Sequence, residues 1–253
     1  FQAVFHISAL DFPLALLFSL LGLVLTKTGA SRPRRVGADV LLVVAMACHL
    51  GTVAAWPLRV FESWKAGAGW RGALRVNARA AVMAVAMGAV LLWLTPAQTT
   101  TSMSLQLAEN DPLSALLGAL HMLCWMGARL VTTAHWLAVD LGTMTTAELA
   151  FGGVVLLGLA GLAWRRRDAV STWAAWTLAH LAPFALISEQ LASRGREGPS
   201  HYLYFASAGA SVLLALLIFR LGKKLADRWG RSGWAAMVIC VLLITASSVH
   251  TIW

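Results

Sequence analysis

Apolar runs bounded by charged or Gly/Pro-marked turns recur along almost the whole chain. Val4–Leu25, Ala80–Leu94, Leu149–Trp164, Val170–Ile187, Tyr202–Phe219 and Trp234–Ile252 are of this kind. About 20 predominantly apolar residues cross the hydrocarbon core of a bilayer as a helix, so these six segments are read as full spans. Two further segments, Val40–Phe61 and Leu113–Val139, are long enough but interrupted. The expected fold is an all-α integral membrane protein, a polytopic helix bundle forming a single domain over residues 1–253.

Composition strengthens that expectation. Of the 253 residues, 59% are hydrophobic and 12% charged, with a mean hydropathy of +0.72. Soluble domains run at about 45–50% apolar and about 25% charged, so a soluble domain is excluded. Tryptophans fall near segment ends, as at Trp56, Trp93, Trp164, Trp234 and Trp253, where amphipathic rings anchor at the membrane interface. The three cysteines, Cys48, Cys124 and Cys240, lie inside apolar segments. Their odd number and wide spacing speak against a disulfide framework and against a zinc site. The chain opens at Phe1, and residues preceding it are expected in the parent protein.

Charge sets the topology. Of 20 Lys and Arg, 17 fall in four clusters: Lys27–Arg35, Arg59–Arg79, Arg165–Arg167 and Arg220–Arg231. The other loops carry Glu109, Asp111, Asp140, Glu148 and Glu197, opposed there by Arg194 and Arg196. Basic loops stay cytoplasmic, so the four clusters face inside. The net charge of +9 tracks helix ends, which points to lipid headgroups and topology and away from nucleic acid. With basic clusters on both flanks, Val40–Phe61 must enter and return as a broken hairpin, its apex near His49-Leu50-Gly51-Thr52. Leu113–Val139 has acidic loops on both sides, so an interfacial helix at the outer face is expected. The alternative is eight plain spans, with Arg59–Arg79 outside.

Ionisable residues inside spans are costly and mark candidate sites. Here they are Asp11, His49, His121, Arg129, His135, His180 and Glu189. No pair has a metal-site spacing, so no metal is expected. Each histidine is read as a packing or interface residue, with a lone imidazole as haem or chlorophyll ligand left open. Glycines such as Gly152, Gly153, Gly158 and Gly161 suit close helix contact. No repeated half-structure of a transporter is present.

The run Trp176–Leu221, with Pro183, Tyr202-Leu203-Tyr204-Phe205 and Ser207-Ala208-Gly209, resembles the late helices of GT-C class membrane glycosyltransferases. The likeness is to the protein O-mannosyltransferase-like group often fused to tetratricopeptide repeats. Ser8-Ala9-Leu10-Asp11, Cys48–Val53 with Pro57, and Leu116–Leu137 resemble further segments of that group, in the same order. The resemblance implies an enzyme of the bacterial inner (cytoplasmic) membrane that takes a sugar from a polyprenyl phosphate carrier at the extracytoplasmic face. It also implies that an N-terminal portion, with the usual catalytic acid, precedes Phe1. Departures are clear: a Lys-Glu pair of the group is His49-Leu50 here, an Arg-Lys-Asp keeps only Asp11, and the Arg before Tyr-Leu-Tyr is His201.

Two functions follow as expectations. In the first, Arg194, Arg196, His201, Tyr202 and Tyr204 hold a lipid phosphate, Asp11 is the candidate catalytic carboxylate, and Glu189, Arg129 and His135 support the site. In the second, the scaffold is a non-catalytic subunit that packs against other membrane subunits and holds lipid or pigment. The hairpin is directly testable: in a cysteine-free background, a cysteine at Ser63 should be labelled by an impermeant thiol reagent only from the cytoplasmic side. Labelling from outside would establish eight spans.

Overall fold

The structure, a computed structural model, describes residues 10–26, 31–94, 111–131, 145–165, 168–185, 203–230, 233–235 and 237–238. Eight α-helices account for most of them, with no strand among the described residues: α1 (Asp11–Leu25), α2 (Arg32–Cys48), α3 (Ala55–Ser63), α4 (Gly69–Leu94), α5 (Pro112–Val131), α6 (Thr146–Arg165), α7 (Ala169–Ala185) and α8 (Tyr204–Trp229). A short 3-10 turn, Leu50–Ala54, leads into α3, and a wide π turn, Trp64–Ala68, follows it. Four helical runs are long and apolar enough to cross a membrane: Gly51–Val90, Pro112–Val131, Thr146–Arg165 and Tyr204–Trp229. The expected segment Trp234–Ile252 lies largely outside the described residues.

Burial differs from that of a soluble protein in how much of the surface is apolar. The interior is rich in alanine, with Ala15, Ala38, Ala45, Ala55, Ala73 and Ala80 enclosed, while Leu14, Leu17, Leu21 and Val24 form an exposed apolar stripe along α1. Exposed apolar surface of this extent is suited to lipid, and small interior residues let helix backbones approach closely. The tightest case is Gly152 of α6, where any Cβ would collide with the Cys124 carbonyl of α5. Cys48 and Cys124 are free thiols.

Helix starts are built from local chemistry. Asp111 accepts hydrogen bonds from Ser114 N–H (3.1 Å) and Ser114 Oγ (2.5 Å), just ahead of Pro112 at the first helical position of α5. Thr145 and Glu148 form a reciprocal box at α6: the Glu148 carboxylate accepts from Thr145 N–H (2.6 Å), and Thr145 Oγ1 accepts from Glu148 N–H (3.3 Å). Asp168 receives the N–H groups of Val170 (3.1 Å) and Ser171 (3.4 Å) at α7. Burial acts to raise the Asp168 carboxyl, but the hydrogen bond and charge of Arg220, with those two N–H groups, outweigh it and hold it below the ordinary value of 3.8. Its stabilisation is complete above that value and is lost as pH falls through the depressed one.

The chain breaks where α2 ends. His49 is extended (φ −156°, ψ 120°). Its Nδ1 accepts from Gly51 N–H (3.0 Å), and its carbonyl accepts from Thr52 N–H (3.1 Å) and Thr52 Oγ1 (2.8 Å). Backbone groups freed by the break are thereby paired again, as a break at membrane depth requires. The chain then returns: Arg59 Nη1 of α3 lies 2.8 Å from Asp39 Oδ1 of α2, with the break midway between them in sequence. A second reversal follows at Gly67 (φ 95°) and Gly69 (φ 65°), a backbone region that favours glycine. It lays α3 on α4, where Trp56 Nε1–H donates to the Asn77 carbonyl (3.2 Å) and the Asn77 amide donates to Ser63 Oγ (3.0 Å). The run Gly51–Val90 is therefore two packed legs, of which α4 is the long one. At about 1.5 Å per residue α2 is about 26 Å long, somewhat short of a bilayer core of about 30 Å.

Contacts link the four basic clusters. Arg32 and Arg35 share a cavity with Arg75 and Arg79. Lys65 Nζ donates to the Trp164 carbonyl at the end of α6 (2.6 Å). Asp168, just after the third cluster, pairs with Arg220 of the fourth (2.7 Å).

The segment expected as an interfacial helix, Leu113–Val139, is described as far as Val131, as α5. Arg129 occupies the last turn of α5, its guanidinium 5.5 Å from the Trp125 ring and within reach of the Glu148 charge. The Cys124–Gly152 and Arg129–Glu148 pairings run antiparallel, so α5 lies along α6, and its length and composition suffice to cross.

Asp39, 3% exposed, faces both Arg59, 6% exposed, and Arg79, whose Nε donates at 2.6 Å. Removing one partner of such a buried pair leaves an uncompensated charge. Asp39→Asn should cost about 3–5 kcal/mol of stability in thermal unfolding in detergent, and adding Arg59→Met should recover much of it. A loss below about 1 kcal/mol, typical of surface pairs, would show that the ion pair does not hold the hairpin.

Candidate functional site

At the end of the bundle away from the basic clusters, three helix ends meet in an aromatic and histidine cluster. Phe12, in the first turn of α1, has its ring 4.3 Å from that of His49, 5.7 Å from Tyr204 and 5.7 Å from Phe205. His49 and Phe205 are 5.1 Å apart. On the far side Trp176 stacks on His180 (4.1 Å), and His180 on Phe205 (5.8 Å). The Trp176 indole N–H donates to the Phe205 carbonyl (2.7 Å), tying α7 to the first turn of α8. Close approach there depends on Gly209, whose Cβ would press on Trp176 and come within 2.7 Å of Thr177 Oγ1.

The two imidazoles are set in complementary tautomers. The His49 Nδ1 accepts from Gly51 N–H (3.0 Å), so in the neutral ring the proton sits on Nε2. His180 Nδ1 faces the Trp176 carbonyl at 2.9 Å and must donate, which leaves Nε2 with a lone pair. That Nε2 is fully buried and has no hydrogen-bond partner among the described residues. The two rings thus stand on either side of Phe205 in opposite tautomers. Among the described residues no group of three His, Cys, Asp or Glu is placed to hold a metal.

Of the residues expected at the site, Asp11 lies beside this cluster, its carboxylate accepting from Phe12 N–H (2.8 Å). Tyr204 is part of the cluster. Arg129 is on α5, whose Met122, Trp125 and Met126 pack against Leu181 and Ala185 of α7 and Ala206 of α8. His121, another candidate ionisable residue, is exposed. Glu189, Arg194, Arg196, His201, Tyr202 and His135 lie outside the described residues. Phe12 and Trp176 were not singled out from sequence, because an aromatic ring at a segment end reads as an interface anchor, and Phe205 entered only as part of the Tyr202–Phe205 run.

Compared with known protein families, characterised proteins and solved structures, the chain matches none.

Trp176→Phe keeps the ring and deletes the N–H that satisfies a buried carbonyl. It should cost about 1–3 kcal/mol in thermal unfolding and raise hydrogen exchange in the first turn of α8. Unchanged exchange there would remove Trp176 as the tie between the helices.

Proposed function

We propose that this chain is a GT-C-like multi-pass protein of a bacterial cytoplasmic membrane that receives a polyprenyl-phosphate-linked sugar at the extracytoplasmic face. The observation that supports this reading is the meeting of three separate segments that carry the resemblance. Asp11 with Phe12, the His49 break and Tyr204 with Phe205 are far apart in sequence and share one cluster. In this reading the isoprenoid chain follows the exposed apolar helix faces. Arg194, Arg196, His201, Tyr202 and Tyr204 hold the phosphate, supported by Glu189, Arg129 and His135. Transfer breaks the bond between the sugar's anomeric carbon and the phosphate oxygen and forms one to an acceptor hydroxyl oxygen. The acceptor's proton passes to Asp11, and polyprenyl phosphate leaves with its charge held by the cations.

The test uses the full chain in liposomes with a radiolabelled polyprenyl-phosphate hexose. Retention of the lipid, weakened about tenfold or more by Arg194→Ala with Arg196→Ala, and sugar release abolished by Asp11→Asn are expected. Retention without release would assign the second reading, a non-catalytic lipid-holding subunit among other membrane subunits. No retention would overturn the GT-C-like reading.

A further inference from the structure

The opposite, basic end carries a second site, independent of the proposed function. A cavity of about 470 Å³ opens there, lined by Arg32 and Arg35 of α2 and by Arg75, Val76 and Arg79 of α4. Charge in these two helices is one-sided: six arginines (Arg32, Arg34, Arg35, Arg71, Arg75, Arg79) stand against one carboxylate, Asp39. That carboxylate is already committed to Arg59 and Arg79.

The local architecture makes the positive charge more costly still. Arg32 and Arg35 sit in the first turn of α2, where the helix dipole disfavours cations. That turn contains no acidic residue, and the Ser31 side chain makes no cap hydrogen bond. Arg71, Arg75 and Arg79 repeat every four residues on one face of α4, where like charges repel. A multivalent anion between the two helices would relieve both costs. Beyond the cavity, Val36, Val40 and Val44 on α2, and Val76 on α4, form exposed apolar ladders, so the chemistry passes from guanidinium to hydrocarbon within a few residues.

We propose that this cavity binds a phosphate-bearing anion, the guanidinium forks gripping its oxygens in pairs. Basic pockets between spanning helices on the cytoplasmic side hold lipid phosphate headgroups, and the valine ladders supply the path for the acyl chains. A free di- or polyphosphate offers the same oxygens without the chains.

The test is native mass spectrometry of the delipidated full chain titrated with phosphatidic acid, with phosphatidylcholine as reference. Arg32→Gln with Arg75→Gln leaves Asp39 and its partners intact, and should weaken phosphatidic acid binding at least about tenfold. Lys223→Gln with Lys224→Gln removes equal charge on α8 and should leave binding unchanged. Arg32→Lys with Arg75→Lys keeps the charge and should retain measurable binding, a second comparison should the Gln pair fold poorly. Competition by inorganic pyrophosphate would extend the site to soluble phosphates, and no competition would assign it to the lipid headgroup; either supports a phosphate site. Equal losses in the Arg32/Arg75 and Lys223/Lys224 Gln variants, or phosphatidic acid binding no tighter than phosphatidylcholine, would overturn it.

Discussion

A carboxylate enclosed between two guanidinium groups governs the first half of this bundle. Asp39 is 3% exposed and meets Arg59 and Arg79 from two other elements. A charge buried that deeply is tolerated only when paired. The pairing therefore selects one path for the chain, in which α3 returns beside α2 and α4 rises beside both. The break at His49 and the reversal at Gly67 and Gly69 let that path close. Each is locally satisfied, by the His49–Gly51–Thr52 hydrogen bonds in one case and by positive-φ glycines in the other.

The second half is held by different physics. α5, α6, α7 and α8 approach through small residues, Gly127 and Gly152 on one seam and Gly209 on another, with Trp176 and Thr177 filling the space that Gly209 leaves. The ion pair between α7 and α8, Asp168 with Arg220, is exposed at a helix end. Their polar groups instead cap helix starts, at Asp111, Thr145 with Glu148, and Asp168. The caps sit at helix ends, where backbone groups would otherwise go unpaired, and leave the apolar faces to lipid.

These two modes of packing give the molecule two chemically distinct ends. Arginines from distant segments crowd one, with Lys65, Asp168 and Arg220 linking them further. Aromatic rings and two imidazoles in complementary tautomers occupy the other. A bilayer with different lipids and solutes on its two sides is the setting in which such polarity has meaning.

Much of this was legible in the residues. Length of apolar runs and scarcity of charge are sufficient for a helical membrane protein, because an unpaired backbone has no partner in hydrocarbon. The place of the first break was legible too, since basic clusters on both flanks of Val40–Phe61 require a return and His49–Thr52 lacks the apolar continuity to span. The packing of α5 was not: that Arg129 has the Trp125 ring and the Glu148 charge within reach depends on α6 lying alongside. Nor were the roles of Phe12, Trp176 and Phe205, which in sequence are interchangeable with any interfacial aromatic. Hydropathy and charge depend on each residue alone and so are decided by the sequence. Which arginines share a cavity and which rings stack depend on distances between residues remote in the chain, and only the packing of the helices decides them.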